Sequence, residues 1–190
     1  MKTQFFTGKG DSGESHYGKT TLKKSSLGAG LLGSLDELNS WLGLTRVESE
    51  KEEEYRNEEL DMNVSVVLKQ VQNSLFIIQA EVASLIFGLV GDKKISAERT
   101  NDMEEVIRKI DEAVPAIKNF ILPGGSELSA RLDVGRTLAR KAERLAKKFS
   151  EESELSPELL QYLNRLSSLL FALARYVNHA RGIEEENPTY

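Results

Sequence analysis

The sequence predicts an all-α protein, a five-helix up-and-down bundle that follows a glycine-rich N-terminal arm. Apolar residues recur at every third or fourth position along five long stretches, and no strand–helix alternation is visible between them. The chain has 190 residues, of which 39% are hydrophobic, and this is enough for one domain with a substantial core. We therefore predict a single domain that comprises an arm at 1–29, a helical bundle at 30–182 and a tail at 183–190.

Each of the five helices is predicted from its own spacing or boundary signal. The second is the clearest, because its apolar residues step by three or four over about eight turns. The fourth begins after a Pro-Gly-Gly turn with Ser126 as its N-cap, and the fifth follows Ser156 with Pro157 at its first helical position. The third is the weakest and ends before Pro115. The predicted ranges are about 31–50, 64–89, 97–114, 126–149 and 157–177.

Composition and charge exclude several classes of function. The net charge is −5, which argues against a nucleic-acid binder held by bulk electrostatics but leaves small anionic ligands open. Cysteine is absent, so disulfides, thiolate catalysis and zinc–thiolate sites are excluded, and two histidines are too few for a histidine-rich metal site. The N-terminus has no apolar leader, and the most apolar run, at 75–90, is too short to span a bilayer. We therefore expect a cytoplasmic protein.

Residues 13–20, GESHYGKT, match the pattern of a phosphate-binding P-loop. In a P-loop a buried strand precedes the loop and a helix follows it, so that backbone amides and the helix N-terminus face the phosphates. Here the preceding residues are TGKGDS, and Gly28 and Gly30 interrupt any helix soon after the motif. We therefore reject the P-loop. A P-loop NTPase is kept only as an alternative. It would be revived if Lys19→Ala abolished nucleotide binding and Lys24→Ala did not.

The glycines of the arm allow another interpretation. Residues 7–15, TGKGDSGES, supply free amides and hydroxyls, and Lys9 and Lys24 add positive charge. Such an arm can wrap a polyphosphate through its amides and ammonium groups. Asp11 could hold a magnesium-bound water or cap the turn through backbone amides. From these residues alone, a disordered N-terminus is at least as strong an alternative.

Polar side chains share one face of the fourth predicted helix. Arg136, Arg140 and Glu143 are spaced i, i+4 and i+7. Asp36 in the first helix and Asn164 in the fifth also lie among leucines. Surface salt bridges are one interpretation of these residues. The other is a cluster at one end of the bundle, in which arginines bind a triphosphate through bidentate hydrogen bonds.

Three segments connect or follow the predicted helices. In the loop KNFILPGGS, at 118–126, Phe120 and the two apolar residues after it either plug the bundle end or line a ligand site. The highly charged segment 48–61 is predicted to be a solvated helix end and a linker. The tail EEENPTY is expected to fray.

Taken in order, these stretches resemble the ATP:cob(I)alamin adenosyltransferases of the propanediol-utilisation type. TGKGDSGES at 7–15 looks like the family's ATP loop, T-x-x-G-D-x-G-x-T, and GSLDELNSWLG at 33–43 is similar to G-x-x-D-E-L-N-x-x-x-G. FILPGG at 120–125 matches as it stands. RTLARKAER at 136–144 resembles R-x-x-x-R-R-x-E-R, and YLNRLSSLLFALAR at 162–175 resembles Y-L-N-R-L-S-D-x-L-F-x-x-A-R. One such motif is a weak signal, but five in order over nearly the whole chain are specific.

The resemblance implies a homotrimer of five-helix bundles and a set of site residues. Asp36 and Arg136 would form a salt bridge that holds the site across a subunit boundary, and Phe120 would press on the lower face of the corrin. The catalytic group would then comprise Arg140, Asp36, Arg136 and Phe120. The ATP contacts that the resemblance implies, with Lys9 added from the charge of the arm, are Thr7, Gly8, Lys9, Gly10, Asp11, Gly13, Ser15, Lys24, Arg140, Glu143 and Asn164.

The family's reaction moves the 5′-deoxyadenosyl group of ATP to the cobalt of cob(I)alamin and releases triphosphate. The resemblance therefore implies ATP, Mg²⁺ and cobalamin as the molecules bound, and it leaves room for a reductase and for an enzyme that uses the product. Cob(I)alamin is itself a strong nucleophile, so the absence of an evident nucleophilic side chain fits this reaction. An apolar wedge that expels the lower ligand would leave a four-coordinate cobalt, whose Co(II)/Co(I) potential should rise.

Several residues depart from the family pattern. Lys141 stands where the family has the second arginine of R-R-x-E-R, and it keeps the charge without the planar fork. Ser168 replaces the aspartate of L-S-D, and Ser15 replaces a threonine but keeps its hydroxyl. These changes leave ATP binding plausible and favour a second hypothesis, a bundle of the same fold that binds ATP or a corrinoid without transferring the adenosyl group.

Overall fold

The computed structural model describes residues 5–6, 8–17, 20–51, 62–89 and 93–189, and it places five helices and one small sheet in that part of the chain. This confirms the predicted fold class. The elements in chain order are β1 (Glu14–Tyr17), β2 (Thr20–Lys23), α1 (Leu27–Glu50), α2 (Val64–Phe87), α3 (Ala97–Ala113), α4 (Glu127–Phe149) and α5 (Pro157–Ala180). None of the described helices combines the length and the apolar content that crossing a membrane requires.

Side-chain caps fix where four of the helices begin. The Ser126 hydroxyl accepts a hydrogen bond from the Ser129 amide at 3.1 Å, and the Ser156 hydroxyl caps α5 in the same way. Both N-caps were predicted. α1 begins four residues earlier than predicted, because Ser26 caps it and Gly28 is accommodated inside the helix. A Cβ on Gly28 would lie 2.8 Å from Ile86 Cδ1, so this glycine permits close packing of α1 on α2 instead of breaking the helix.

The apolar stripes of the helices meet in one core, and α5 contributes more buried residues to it than any other helix. α5 packs against α3 and α4, and α1 packs against α2 and α4. Leu35, Leu38 and Leu42 of α1 and Leu166 and Leu170 of α5 are fully buried, as their predicted helical spacing requires.

α1 and α4 run antiparallel. Near one end Gly28 of α1 packs on Phe149 of α4, and near the other the indole N–H of Trp41 donates to the carbonyl of Arg131 at 2.7 Å. The N-terminal arm enters α1 and therefore lies at the C-terminal end of α4. The loop before α4 lies at the opposite end, roughly 35 Å away along a helix of 23 residues.

The segment that matches the P-loop pattern contributes to an antiparallel β-hairpin. Ser15 of β1 pairs with Leu22 of β2, and the hairpin is attached to the bundle where the Thr20 hydroxyl donates to the carbonyl of Phe87 at 3.3 Å. The described residues contain no parallel sheet that could support a P-loop, and the rejection of that motif stands. Phe5 and Phe6, near the start of the arm, do not lie in a strand.

The C-terminal tail does not fray as predicted, because it folds back onto the loop before α4. Gly182, at φ 65°, lets the chain reverse after α5. The backbone amide of Leu122 then donates to the carbonyl of Glu186 at 2.8 Å, and the side-chain amide of Asn187 donates to the carbonyl of Phe120 at 2.9 Å. The charged linker at 52–61 lies outside the described residues.

The buried Tyr162 makes the stability of the bundle sensitive to alkaline pH. Its burial raises the pKa of the phenol from 10.0 to about 12, against a smaller opposing effect from the Ser74 hydroxyl. The unfolded chain loses the phenol proton near pH 10, whereas the folded chain keeps it until about pH 12. The free energy of unfolding is therefore unaffected by this group below pH 10 and falls as the pH rises from 10 towards 12. We expect the free energy of unfolding to fall by about 3 kcal/mol over that window.

Urea unfolding at a series of pH values measures this effect, with Tyr162→Phe as the matched control. The phenylalanine variant lacks the titrating group, so its stability should fall less over the same window. Equal slopes for the two proteins would contradict the assignment to Tyr162.

Candidate functional site

An open cleft of about 510 Å³ lies between the loop before α4 and the outer faces of α4 and α5. Its walls combine two guanidinium groups, two hydroxyls and several apolar side chains. The cleft residues are Ile117, Asn119, Phe120, Ile121, Arg136, Arg140, Ser167, Ser168 and Phe171. The mixture suits a ligand that has both an apolar surface and negative charge.

Arg136 and Arg140 reach the cleft from successive turns of α4, as their i, i+4 spacing predicts. Arg136 donates through Nε to Asp133 Oδ1 at 2.8 Å, so part of its charge is already balanced within α4. Within the described part of the chain, no hydrogen bond or ion pair engages the guanidinium of Arg140. Arg140 is exposed and keeps all of its N–H donors available for an anion in the cleft.

Glu143 and Asn164 extend this polar face by one further turn. The Asn164 amide donates to Glu143 Oε1 at 2.7 Å and joins α5 to α4 beside Arg140. The structure thus brings together three residues of the predicted bundle side of the site. The Asn164–Glu143 bond leaves the second carboxylate oxygen of Glu143 and the carbonyl of Asn164 as acceptors for a ligand hydroxyl or amine.

Phe120 forms a wall of the cleft and is 81% exposed. Its loop therefore does not plug the bundle end, which was one of the two alternatives, and lines a cavity instead. The loop is held to α5 by Asn178, which accepts from the Ser126 amide at 3.1 Å and donates to the Gly124 carbonyl at 2.9 Å. A Cβ on Gly125, at φ 92°, would lie 2.5 Å from the Asn178 side-chain nitrogen, so the Pro-Gly-Gly turn requires glycine there.

The arm forms a compact turn around one lysine. The ammonium group of Lys24 donates to the carbonyl of Gly10 at 2.7 Å, and the Lys24 amide donates to the carbonyl of Gly13 at 2.9 Å. Gly8 and Gly13 adopt positive φ angles of 71° and 83°, which other residues rarely adopt. The turn is therefore organised, in contrast to the disordered arm that the sequence left as an alternative.

The other predicted arm residues surround this turn. Asp11 is exposed, and its amide donates to the carbonyl of Gly8 at 3.3 Å. Ser15 is exposed on β1, and Lys9 also lies in the turn. Thr7 falls outside the described residues.

Within one chain, the arm and the cleft do not form a single site. The arm lies at the C-terminal end of α4, whereas Phe120 precedes the N-terminal end. Asp36 is exposed on α1, and no described residue pairs with its carboxylate, while Arg136 pairs with Asp133 of its own helix. The predicted salt bridge between Asp36 and Arg136 is therefore not formed inside the described chain.

Two of the departures from the family pattern, Lys141 and Ser168, have different surroundings. The Lys141 ammonium pairs with Glu37 Oε2 at 2.6 Å and so connects α4 to α1, away from the cleft. Ser168 lies in the wall of the cleft, where an aspartate would place a negative charge. Lys141 therefore has a structural contact in this chain, and Ser168 makes the cleft less acidic.

Sequence reasoning missed four residues of the cleft. Ser167 and Phe171 follow Asn164 at steps of three and four, so the helical period of α5 could have placed them on the same face. Ile117 and Asn119 belong to a loop, and no periodicity marks them. Among the described residues there is no group of three or more His, Cys, Asp or Glu side chains that could hold a metal ion.

Known proteins are similar to this chain in sequence. Residues 5–177 match the family model described as cobalamin adenosyltransferase. The chain is 33% identical to a corrinoid adenosyltransferase of Bacillus subtilis over 95% of this chain and 89% of the relative. It is 33% identical to a cobalamin adenosyltransferase of Cupriavidus metallidurans over 91% of this chain and 87% of the relative.

Solved structures of corrinoid adenosyltransferases are also similar to this chain. A variant PduO-type ATP:corrinoid adenosyltransferase from Lactobacillus reuteri, complexed with cobalamin and ATP, superposes with a TM-score of 0.86 at 31% identity, covering 98% of this chain and 100% of that one. A second variant, complexed with ATP, superposes with a TM-score of 0.82 at 31% identity, covering 97% of this chain and 100% of that one.

Proposed function

Because the chain belongs to the cobalamin adenosyltransferase family, we propose that it transfers the 5′-deoxyadenosyl group of ATP to the cobalt of cob(I)alamin. The cobalt–C5′ bond forms, the C5′–O bond breaks, and its electron pair leaves with triphosphate. The observation that carries this proposal is the cleft itself, where the exposed ring of Phe120 and the guanidinium of Arg140, which no described residue engages, line one cavity.

The residues of the cleft suit a reaction in which the substrate supplies the nucleophile. Cob(I)alamin attacks C5′ through its own cobalt, so the protein needs no serine, cysteine or histidine nucleophile. What the protein must supply is position, because holding two reactants in line removes much of the barrier. A cleft with one apolar wall and one cationic wall can orient a corrin against a nucleotide.

Arg140 is the residue that we assign to the leaving group. Negative charge gathers on the triphosphate as the C5′–O bond breaks, and a guanidinium that lines the cleft would stabilise that charge. Glu143 and Asn164, which already bond to each other, would hold the nucleoside beside it. The arm would wrap the phosphates. The arm residues assigned to this role are Thr7, Gly8, Lys9, Gly10, Gly13, Ser15 and Lys24.

We assign a magnesium ion to the ATP and not to a protein cage. Mg²⁺ keeps several waters and commonly binds through substrate phosphates and one or two carboxylates. The exposed carboxylate of Asp11, in a turn that also holds Lys24, fits this limited role. The ion would add positive charge to the triphosphate when bound.

Phe120 is assigned to the lower face of the corrin. The ring is exposed although it is strongly apolar, and its backbone is fixed by neighbouring bonds. An aromatic ring pressed against the cobalt from below would exclude the lower ligand. The resulting four-coordinate cobalt is easier to reduce to the nucleophilic state.

The position of the arm supports a homotrimer in which each site lies between two copies. Arm and Phe120 lie at opposite ends of α4, so the arm of one copy would serve the cleft of the next. The carboxylate of Asp36, which has no partner among the described residues, would then pair with Arg136 of a neighbouring copy. We expect sedimentation equilibrium to give three times the chain mass, and Asp36→Asn to weaken assembly. A monomer at micromolar concentration would contradict the shared site.

The adjacent lysines at the end of β2 offer a matched test of the arm. Lys24→Ala removes the ammonium group that bonds to Gly10, and we expect the Kd for ATP to rise about tenfold. Lys23→Ala removes an equal charge from an exposed neighbour and should change the Kd less than twofold. Isothermal titration with Mg-ATP measures both, and equal effects would show that only bulk charge matters.

The function itself is tested by mixing the protein with ATP, Mg²⁺ and chemically reduced cobalamin. We expect the absorbance spectrum of adenosylcobalamin to appear at a rate that depends on protein concentration. The alternative is a non-catalytic bundle that binds ATP or a corrinoid. Ser168 motivates this alternative, because it lies in the cleft where the family has an aspartate. ATP binding without formation of adenosylcobalamin would establish that alternative.

A further inference from the structure

We propose that the C-terminal tail, residues 183–189, is a positioning element that sets the place of Phe120 in the cleft, and that Asn187 is its contact residue. This rests on the proposed function, in which Phe120 meets the corrin. The tail was expected to fray, yet it is bonded to the bundle at one end and to the Phe120 loop at the other.

A buried guanidinium anchors the tail. Arg175 of α5 is 6% exposed, and it donates through Nε and Nη2 to the two carboxylate oxygens of Glu185 at 2.6 and 3.1 Å. The same Nη2 donates to the carbonyl of Pro115 at 2.7 Å. One side chain therefore fixes both the start of the Phe120 loop and the middle of the tail, and a bidentate pair of this kind is directionally strict.

From this anchor the tail bonds to the loop on both sides of the ring. The Asn187 side-chain amide donates to the carbonyl of Phe120 itself at 2.9 Å, and the carbonyl of Glu186 accepts from the Leu122 amide at 2.8 Å. The loop is neither helix nor strand between 114 and 126, so it has no hydrogen-bond ladder of its own. Asn178 holds its far end, at Gly124, which leaves the tail to hold the part around Phe120.

The exposure of Phe120 makes this support consequential. Its side chain is 81% exposed, so core packing does not fix the ring, and its backbone must do so. A ring that displaces a metal ligand has to be held against the resulting force. Because reaction rates depend steeply on small displacements of reacting groups, a loosened loop should lower turnover more than binding.

The first test uses the free protein and needs no corrinoid. We compare amide hydrogen exchange in the loop for the intact chain and for a chain that ends at Glu185, which keeps the Arg175 anchor and removes the tail-to-loop bonds made by Glu186 and Asn187. The proposal expects at least tenfold faster exchange at Leu122, with exchange in α4 unchanged. Unchanged exchange at Leu122 would overturn it.

The second test asks whether the tail acts through Phe120. Asn187→Ala should lower kcat for adenosyl transfer about fivefold to tenfold and leave the Kd for Mg-ATP unchanged, because it removes the bond to the Phe120 carbonyl and the longer bond from Asn119, at 3.5 Å, that hold a reacting geometry. Glu184→Gln, an exposed neighbour in the tail, is the control and should change neither. In a Phe120→Ala background, Asn187→Ala should change kcat less than twofold.

The outcomes separate this proposal from the proposed function. If the intact protein forms no adenosylcobalamin, the function fails, and the exchange experiment still decides whether the tail holds the loop. If adenosylcobalamin forms but Asn187→Ala has the same effect with and without the Phe120 ring, the tail does not act through Phe120 and the proposal is overturned. A changed Kd for ATP in Asn187→Ala would also overturn it.

Discussion

Replacement of Arg140 by alanine should lower the rate of adenosyl transfer by about a hundredfold to a thousandfold, the range observed when one preorganised donor to a developing negative charge is removed. No described partner engages the Arg140 guanidinium, which lines the cleft from α4. The energy that it contributes is therefore available to the departing triphosphate and is not spent on a structural pair. The variant should fold normally, because the side chain is exposed.

Single-turnover formation of adenosylcobalamin measures this effect at saturating ATP. Arg131→Ala is the matched control, since it removes the same charge from the same helix, where the guanidinium pairs with Glu127 outside the cleft. Arg140→Lys should fall between wild type and alanine, because it keeps the charge and loses the planar fork. An Arg140→Ala variant as active as Arg131→Ala would remove Arg140 from the mechanism.

Replacement of Phe120 by alanine should lower the rate by about a hundredfold while leaving the Kd for Mg-ATP unchanged. The ring forms one wall of the cleft and makes little contact with the core, so its removal takes away the wedge and not the fold. With cob(II)alamin and Mg-ATP bound, the variant should retain the lower ligand, whereas the wild type should show the spectrum of a four-coordinate cobalt.

Electron paramagnetic resonance of bound cob(II)alamin reports the lower ligand directly. Leu122→Ala is the control, because it shortens another partly exposed apolar side chain of the same loop that does not line the cleft. A wild-type spectrum that still shows the lower ligand would contradict the role assigned to the ring, even if the rate falls.

The helices were predictable because their information is local. Steps of three and four in the apolar residues place the core face of each helix, and Ser126 and Ser156 mark two of the starts through their caps. The start of α1 was misjudged because Gly28 reads as a helix breaker in sequence. Its role is to let Ile86 approach closely, and that contact depends on the packing of two helices distant in sequence.

In the cleft, too, residues were predictable where local spacing places them and not where a long-range contact does. Arg136, Arg140 and Glu143 could be placed together because they share one helical face, and the structure brings Asn164 to them. The bond from Asn187 to Phe120 could not be predicted, because it joins residues 67 positions apart in two segments without periodicity. The roles of all these residues remain predictions of the proposed function.

The antiparallel packing of α1 on α4 has a genetic consequence. If the arm of each copy serves the cleft of the next, one polypeptide damaged in the arm and another damaged in the loop carry complementary defects. A mixed ring of Lys24→Ala and Phe120→Ala subunits contains one junction where an intact arm meets an intact loop. Co-expression of the two alleles would then restore one working centre per ring, a rescue that neither allele achieves alone.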